Sequence, residues 1–233
     1  MNHFLINYDK INIEECKTIF DNKKRLKIDN ILKPDLAEFI YKFIINEKSW
    51  NLAAGINKLR FDHKIEPKNQ KKNDEIGRQV NKAFSLDQFS YIFHRSMNNS
   101  KNVSMVEKSI RESLNSPDFI SLLNSITNLN LTRLSTLFLS RYLSGHFLSV
   151  HSDKGNGKLA FVINLTKEWR PQYGGSLIFV SSDRLNVVES FLPGFNNIIL
   201  FQVEGNGIDN PHLVQHISPN VLHARYAISG WFE

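Results

Sequence analysis

The sequence predicts a mainly β chain with flanking helices: a jelly-roll core packed against N-terminal α-helices. Three observations lead there. From about residue 131 onward, eight short β-type runs follow one another, with turn residues between them and no helical periodicity. Such a series argues for an antiparallel sandwich or barrel, and the jelly roll is its eight-strand form. Upstream, two stretches place apolar residues at the i, i+3, i+4 spacing of a helix that must lie against a sheet or other helices. Hydrophobic content of 41% over 233 residues can fill one large core, so 1–233 reads as a single domain. Within it, 1–130 is a mostly helical support and 131–233 is the β core.

The elements follow in order. Lys33-Pro34-Asp35 opens a helix, because proline suits the first helical position and Asp35 and Glu38 favour its positive end. Leu36, Phe39, Ile40, Phe43 and Ile44 form its buried stripe. Residues 60–80 are polar and lysine-rich, which predicts an exposed, mobile loop; a lid over a binding site is the sharper reading of the same stretch. Ser116-Pro117-Asp118 starts a second helix, with Phe119, Leu122, Leu123 and Ile126 on one face. The β runs are LSTLFLSRYL, HFLSVHSD, LAFVINL, GSLIFV, NVVESFL, NNIILFQV, LVQHI and ARYAISGWF. Gly155-Asn156-Gly157, Pro171, Gly174-Gly175, Pro193-Gly194, Gly205-Asn206-Gly207 and Pro219-Asn220 mark the turns.

Composition removes several function classes. The single cysteine, Cys16, excludes an intramolecular disulfide and cysteine-based zinc or iron–sulfur sites; its simplest role is a small apolar contact. No apolar run approaches the roughly 20 residues that span a bilayer, and the acidic start lacks the apolar stretch of a signal peptide. A cytoplasmic protein with no membrane partner is therefore expected. The net charge of +6 suggests nucleic acid, but the positive residues are diluted along the chain and Asp74 and Glu75 interrupt the densest run, which argues against it.

Chemistry concentrates late in the chain. His151-Ser152-Asp153 ends the run FLSV, and residues i and i+2 of a strand share a face. Eight histidines and eleven aspartates give on the order of 0.4 such triplets by chance, so the motif gains meaning only from its company. That company is His216 on the seventh run and Arg225 on the eighth. In a rolled sandwich, the second and seventh strands can lie side by side. Two histidines and an aspartate from such strands make a facial triad, the ligand set suited to non-haem Fe(II). Arg225 adds a planar fork for a carboxylate.

The ordered stretch RYLSGHFLSVHSD … EWRPQYGGSLIF … PGFNNIILFQV … HISPNVLHARYAISGWF resembles the Fe(II)/2-oxoglutarate-dependent dioxygenases, and most of all their prolyl-4-hydroxylase-like branch. The resemblance covers about 131–233, and more loosely the helix at 34–46 and the region after Trp50. It implies a double-stranded β-helix with His151, Asp153 and His216 as iron ligands. It also implies that Arg225, nine residues after His216, binds the distal carboxylate of 2-oxoglutarate, and that Tyr142 contacts that co-substrate. Two departures stand out. His223 replaces a usual glycine before the arginine, so Asn220 or the longer turn must supply a left-handed residue. His212 also lies four residues before His216, and both would face inward on a regular strand; spacing to Arg225 favours His216.

The implied cofactors are Fe(II), 2-oxoglutarate and O2. The implied reaction is decarboxylation of 2-oxoglutarate to succinate and CO2, coupled to hydroxylation of a C–H bond. The carboxylate of Asp153 fills the position that halogenating relatives leave free, so hydroxylation is expected. The branch points to a prolyl or other amino-acid residue of a peptide or protein as substrate; a free amino acid or a small biosynthetic intermediate is the alternative. Nucleic-acid demethylation would call for a second arginine where this chain has Trp231. A non-catalytic jelly-roll binding module, or a Zn2+ hydrolase at the same triad, would have no use for Arg225. Trp231 shares strand parity with Arg225 and suits either the pocket or the core. Asn164 suits a buried hydrogen bond or a ligand contact. His3, His63, His94 and His146 read as surface or core residues. Oligomeric state is not legible.

Overall fold

A computed structural model describes residues 5–47, 49–96, 104–205 and 209–233. His3, and Asn206 and Gly207 of one expected turn, lie outside the described residues. The elements run α1 (Ile13–Lys23), β1 (Arg25–Asp29), α2 (Pro34–Asn46), β2 (Trp50–Ile56), β3 (Leu59–Lys64), α3 (Gln70–Ser85), β4 (Ser90–Ser96), α4 (Met105–Leu114) and α5 (Pro117–Thr127). The eight expected strands follow as β5 (Leu134–Tyr142), β6 (Phe147–His151), β7 (Leu159–Leu165), β8 (Leu177–Val180), β9 (Val187–Phe191), β10 (Phe195–Gln202), β11 (His212–Val214) and β12 (Arg225–Phe232).

The strands pair in the order β1-β10-β7-β12-β5-β4-β6-β11-β8-β9, with β2 and β3 branching from β4. All pairings are antiparallel. The sheet curls into the double-stranded β-helix. β4 turns the corner: its end at His94 and Arg95 pairs with β5, and its start at Tyr91 and Ile92 pairs with β6. Near the far edges, Glu189 of β9 accepts from Arg25 of β1 at 2.8 Å and from Lys23 at 2.7 Å.

Period-2 alternation sorts the core into two compartments. On β10, Ile198 and Leu200 face out to the helices, while Ile199 and Phe201 face into the fold. Both faces are buried, which explains the unbroken apolar run of that strand. Outside, the stripes of α2 and α5 cover the sheet through Ile40, Ile44, Phe119, Leu123 and Ile126, with Phe20 of α1 beside them. Ser116 caps α5 by accepting the Phe119 N–H at 3.3 Å, and Pro117 occupies its first turn. Cys16 is a buried apolar contact in the same cluster, as expected.

The support is less helical than expected, since β1 to β4 belong to it. The expected loop at 60–80 is instead the end of β3 and most of α3. Ile76, Val80 and Ala83 of α3 pack on the back of β2 and β4, and its lysines point to solvent. Three buried residues in sixteen make a stripe too thin to stand out in a polar sequence.

Candidate metal centre

β6 and β11 lie side by side, the second and seventh runs of the sequence reading. His212 sits directly opposite His151 in that ladder. Asp153, just past β6, turns its carboxylate between the two rings. His151 Nε2 lies 3.2 Å from Asp153 Oδ1, and His212 Nε2 lies 3.6 Å from Asp153 Oδ2. Among the described residues, this is the one group of three side chains arranged to hold a metal ion.

The structure therefore brings together His151 and Asp153 as expected, but joins them to His212 and not to His216. The reason is a break in alternation. Val214 and Ile217 both belong to the interior cluster, although three residues apart, so strand parity changes between them. The β8 side of the ladder runs on, with Gln215 N–H donating to Ser176 O at 3.0 Å and Ile217 bridging to Gly174, while the register against β6 shifts between His212 and Val214 and Ile217 N–H donates to His146 O at 3.0 Å. Gly174 has φ +74°, and a Cβ there would come within 2.1 Å of the His216 carbonyl oxygen. The His216 ring is thereby turned outward, stacked on Phe147 at 3.8 Å with Phe84 of α3 at 4.4 Å. Asn220 has φ 65° and supplies the left-handed residue that the turn before Arg225 needs. The sequence did hold a signal: Val214 and Ile217 cannot both face one core on a regular strand.

Both imidazoles are fixed from behind. Nδ1 of His151 lies 2.9 Å from Ser149 O, and Nδ1 of His212 lies 2.9 Å from Asn210 O. A carbonyl only accepts, so each Nδ1 carries the proton and each Nε2 presents a lone pair toward Asp153. Burial, then the neighbouring His151 ring, push His212 down to about 4. Burial raises the Asp153 carboxyl, but His151, His212 and the Trp231 indole outweigh it and hold it below its ordinary value. Trp231 Nε1 donates to Asp153 Oδ2 at 3.1 Å, so this tryptophan lines the site. The three side chains offer two imidazole nitrogens and a carboxylate, the donor set a divalent ion requires.

A cavity of about 360 Å³ adjoins this group, lined among others by Tyr142, Leu148, Phe201, Val214, Arg225 and Trp231. Arg225 is 3% exposed, and its Nε has no hydrogen-bond partner. It faces Tyr142 across the β12–β5 ladder, with its guanidinium carbon 5.0 Å from that ring's centroid. Burial lowers the Arg225 pKa and raises the Tyr142 hydroxyl to about 12, so the pair stays a cation beside a neutral phenol. A buried guanidinium with an orphaned donor is costly unless an anion joins it. The fit to a small dianion such as 2-oxoglutarate is thus on the protein's side already.

Other histidines and polar groups fall elsewhere. His94 and His146 contact each other edge to face at 4.7 Å, and Arg141 Nε donates to His94 Nδ1 at 2.9 Å. His63 contacts Asn73 at 2.8 Å, and His223 stacks on Tyr173. Asn164 is buried and donates to Asn197 Oδ1 at 2.9 Å. No helix among the described residues is long and apolar enough to cross a membrane.

Comparison with known proteins agrees with this geometry. Residues 137–233 match the family described as the 2OG-Fe(II) oxygenase superfamily. Among curated proteins no sequence matches. A prolyl-4-hydroxylase from Pseudomonas putida is similar in structure, with TM-score 0.56 and 14% identity over 96% of this chain and 92% of that one. A 2OG-Fe(II) oxygenase family oxidoreductase from Burkholderia pseudomallei has TM-score 0.61 and 12% identity over 99% and 93%. A prolyl hydroxylase from Trichoplax adhaerens, solved with a hypoxia inducible factor peptide fragment, has TM-score 0.56 and 16% identity over 100% and 95%. At these identities the three structures speak for the fold. The matched segment carries the three clustered side chains, Tyr142 and Arg225, and is similar to the iron- and 2-oxoglutarate-dependent oxidoreductases that this family describes.

Proposed function

We propose that this protein hydroxylates a prolyl or other amino-acid residue of a peptide or protein, with His151, Asp153 and His212 holding Fe(II) and Arg225 clasping 2-oxoglutarate. The observation that carries the site assignment is the convergence of two pre-oriented Nε2 lone pairs on one carboxylate, beside a buried arginine that has no carboxylate partner among the described residues.

When bound, Fe(II) supplies the O2 chemistry that converts 2-oxoglutarate to succinate and CO2 and leaves the second oxygen atom on a substrate carbon. The chain's own residues set the stage for it. Ser149 O and Asn210 O keep the two rings in one tautomer. Asp153 contributes negative charge, and Trp231 steadies its second oxygen. Arg225 donates to the far carboxylate of the diacid, and Tyr142 lies over that guanidinium. Leu148, Phe201 and Val214 line the space between with apolar side chains, a low-dielectric wall that strengthens each electrostatic contact.

The peptide reading is supported by structural likeness to prolyl hydroxylases, one of them solved with a peptide. The test of the site is a pair of variants. Under argon, Fe(II) with 2-oxoglutarate is expected to give a weak visible charge-transfer band in the wild type and in His216→Ala, and none in His212→Ala. A band that survives His212→Ala and vanishes in His216→Ala refutes the ligand assignment. Succinate release screened against proline-containing peptides and free amino acids tests the substrate class.

A further inference from the structure

The mouth of the cavity is built by the β3-β2-β4 ribbon. Antiparallel register puts three rows on its cavity side: Lys64–Asn51–Arg95, Asp62–Ala53–Phe93 and Arg60–Gly55–Tyr91. Ala53, Tyr91, Phe93 and Arg95 line the cavity. The β4 side is aromatic. Phe89, Tyr91 and Phe93 follow one another at 5.8 Å steps, and Phe89 reaches the His151 ring at 6.0 Å. The outer side, on the exposed strand β3, is charged.

That charge is unbalanced. Asp62 is already engaged, accepting from Asn51 Nδ2 at 2.9 Å and from Arg95. Among the described residues Arg60 meets no carboxylate: it donates to the carbonyls of Asn57 and Leu59, and its guanidinium lies 5.7–5.8 Å from the centroids of Tyr91 and Phe89. Arg60 lies against Tyr91 and Phe89, and Arg95 lines the cavity with both rings, so the two guanidinium groups border its mouth. Two fixed guanidinium groups therefore face one aspartate, over an apolar strip that leads to the metal centre. Gly55 makes this possible, because a Cβ there would come within 2.5 Å of the Tyr91 ring.

We infer that this ribbon reads a carboxylate on the substrate: a peptide in which Asp or Glu flanks the oxidised residue, with the carboxylate on Arg60 and Arg95 and the oxidised residue on the aromatic strip. The inference rests on the peptide reading above and adds the charge of the sequence that is selected. Single-stranded nucleic acid would also meet aromatic rings and arginines. Asp62 at the centre of the row opposes successive phosphates, whereas one side-chain carboxylate needs only the two forks.

The experiment uses the full chain with Fe(II) and 2-oxoglutarate under argon, so that binding is read without turnover. Fluorescein-labelled Gly-Glu-Pro-Glu-Gly, its Gln and Lys counterparts, and an oligothymidine of five nucleotides are titrated by anisotropy at low and high salt. The Glu peptide is expected to bind about tenfold tighter than the Gln peptide, with the ratio shrinking as salt rises. Arg60→Gln/Arg95→Gln should bring that ratio toward one. Arg60→Glu, a change at an exposed position, should favour the Lys peptide and serves alone if the double variant does not fold. Equal binding of the three peptides, binding of none, a preference unchanged in the variants, or tighter binding of the oligothymidine overturns the inference. The charge-transfer band separates the two readings: a band without charge discrimination sinks this inference and leaves the metal centre standing, whereas no band sinks the metal centre.

Discussion

Replacing Arg225 by methionine should move stability and ligand response in opposite directions. Arg225 is buried, faces only the neutral Tyr142 hydroxyl among its ionisable neighbours, and leaves Nε unpartnered. Holding a charge there costs several kcal/mol, and apolar replacement of buried ions of similar volume is often stabilising by roughly 1–4 kcal/mol. Against this, Tyr142 loses a partner, at about 1 kcal/mol. The ligand-free variant should thus gain about 0–3 kcal/mol, which for a chain of this size is up to about 12 °C in Tm. The wild type recovers the cost when the diacid arrives: at a hundred times Kd, ligand adds about 2.7 kcal/mol. The variant should gain nothing, because the group that fixes the far carboxylate is gone. Thermal unfolding of the iron-loaded protein, with and without 2-oxoglutarate, reads both effects. A variant less stable than wild type without ligand, or one that still responds to 2-oxoglutarate, would refute the account of Arg225 as a cation held for a missing anion.

Asp153→Ala should abolish succinate formation, as measured by product release; undiminished turnover would remove Asp153 from the ligand set. Gly174→Ala forces a Cβ against the His216 carbonyl at a positive φ, and should cost about 2 kcal/mol or more in urea unfolding. The His94–His146 pair predicts acid sensitivity, because burial holds His94 down to about 2 and His146 to about 4. The unfolded chain binds protons at these sites below about 6.5 and the folded chain does not, so stability is full above 6.5 and falls as pH drops toward 4. Each histidine contributes up to about 1.4 kcal/mol per pH unit over that window. A urea midpoint that stays level between pH 6.5 and 5, or one unaffected by His146→Gln, contradicts this.

Most of the β core was legible because its punctuation is strong. Glycine, proline or asparagine stands in most of the gaps between the eight runs, and β10 and β7 carry apolar residues on both faces. The helices at 34–46 and 117–127 were legible through proline starts and wide apolar stripes. What escaped was written in tertiary terms. Strand β3 of the ribbon is polar and largely exposed, and α3 exposes its lysines while burying only three apolar residues. The nine-residue spacing to Arg225 that the resemblance implies favours His216 over His212. In this chain the turn is longer, running from Gln215 to Ala224, and a parity break beside Gly174 moves His216 out. Trp231 shared strand parity with Arg225, as the sequence suggested. Its bond to Asp153 depended on how β12 and the end of β6 meet.

The two carbonyl tethers behind the rings of residues 151 and 212 carry a cost in discrimination. First-row divalent ions are of similar size, so rings locked at one spacing tell them apart only weakly. Affinity among first-row divalent ions then follows their intrinsic order, in which cobalt, nickel and copper all rank above ferrous iron. The polypeptide therefore leaves the choice of resident ion to cellular supply, and cobalt or nickel salts should act as competitive poisons of the purified protein.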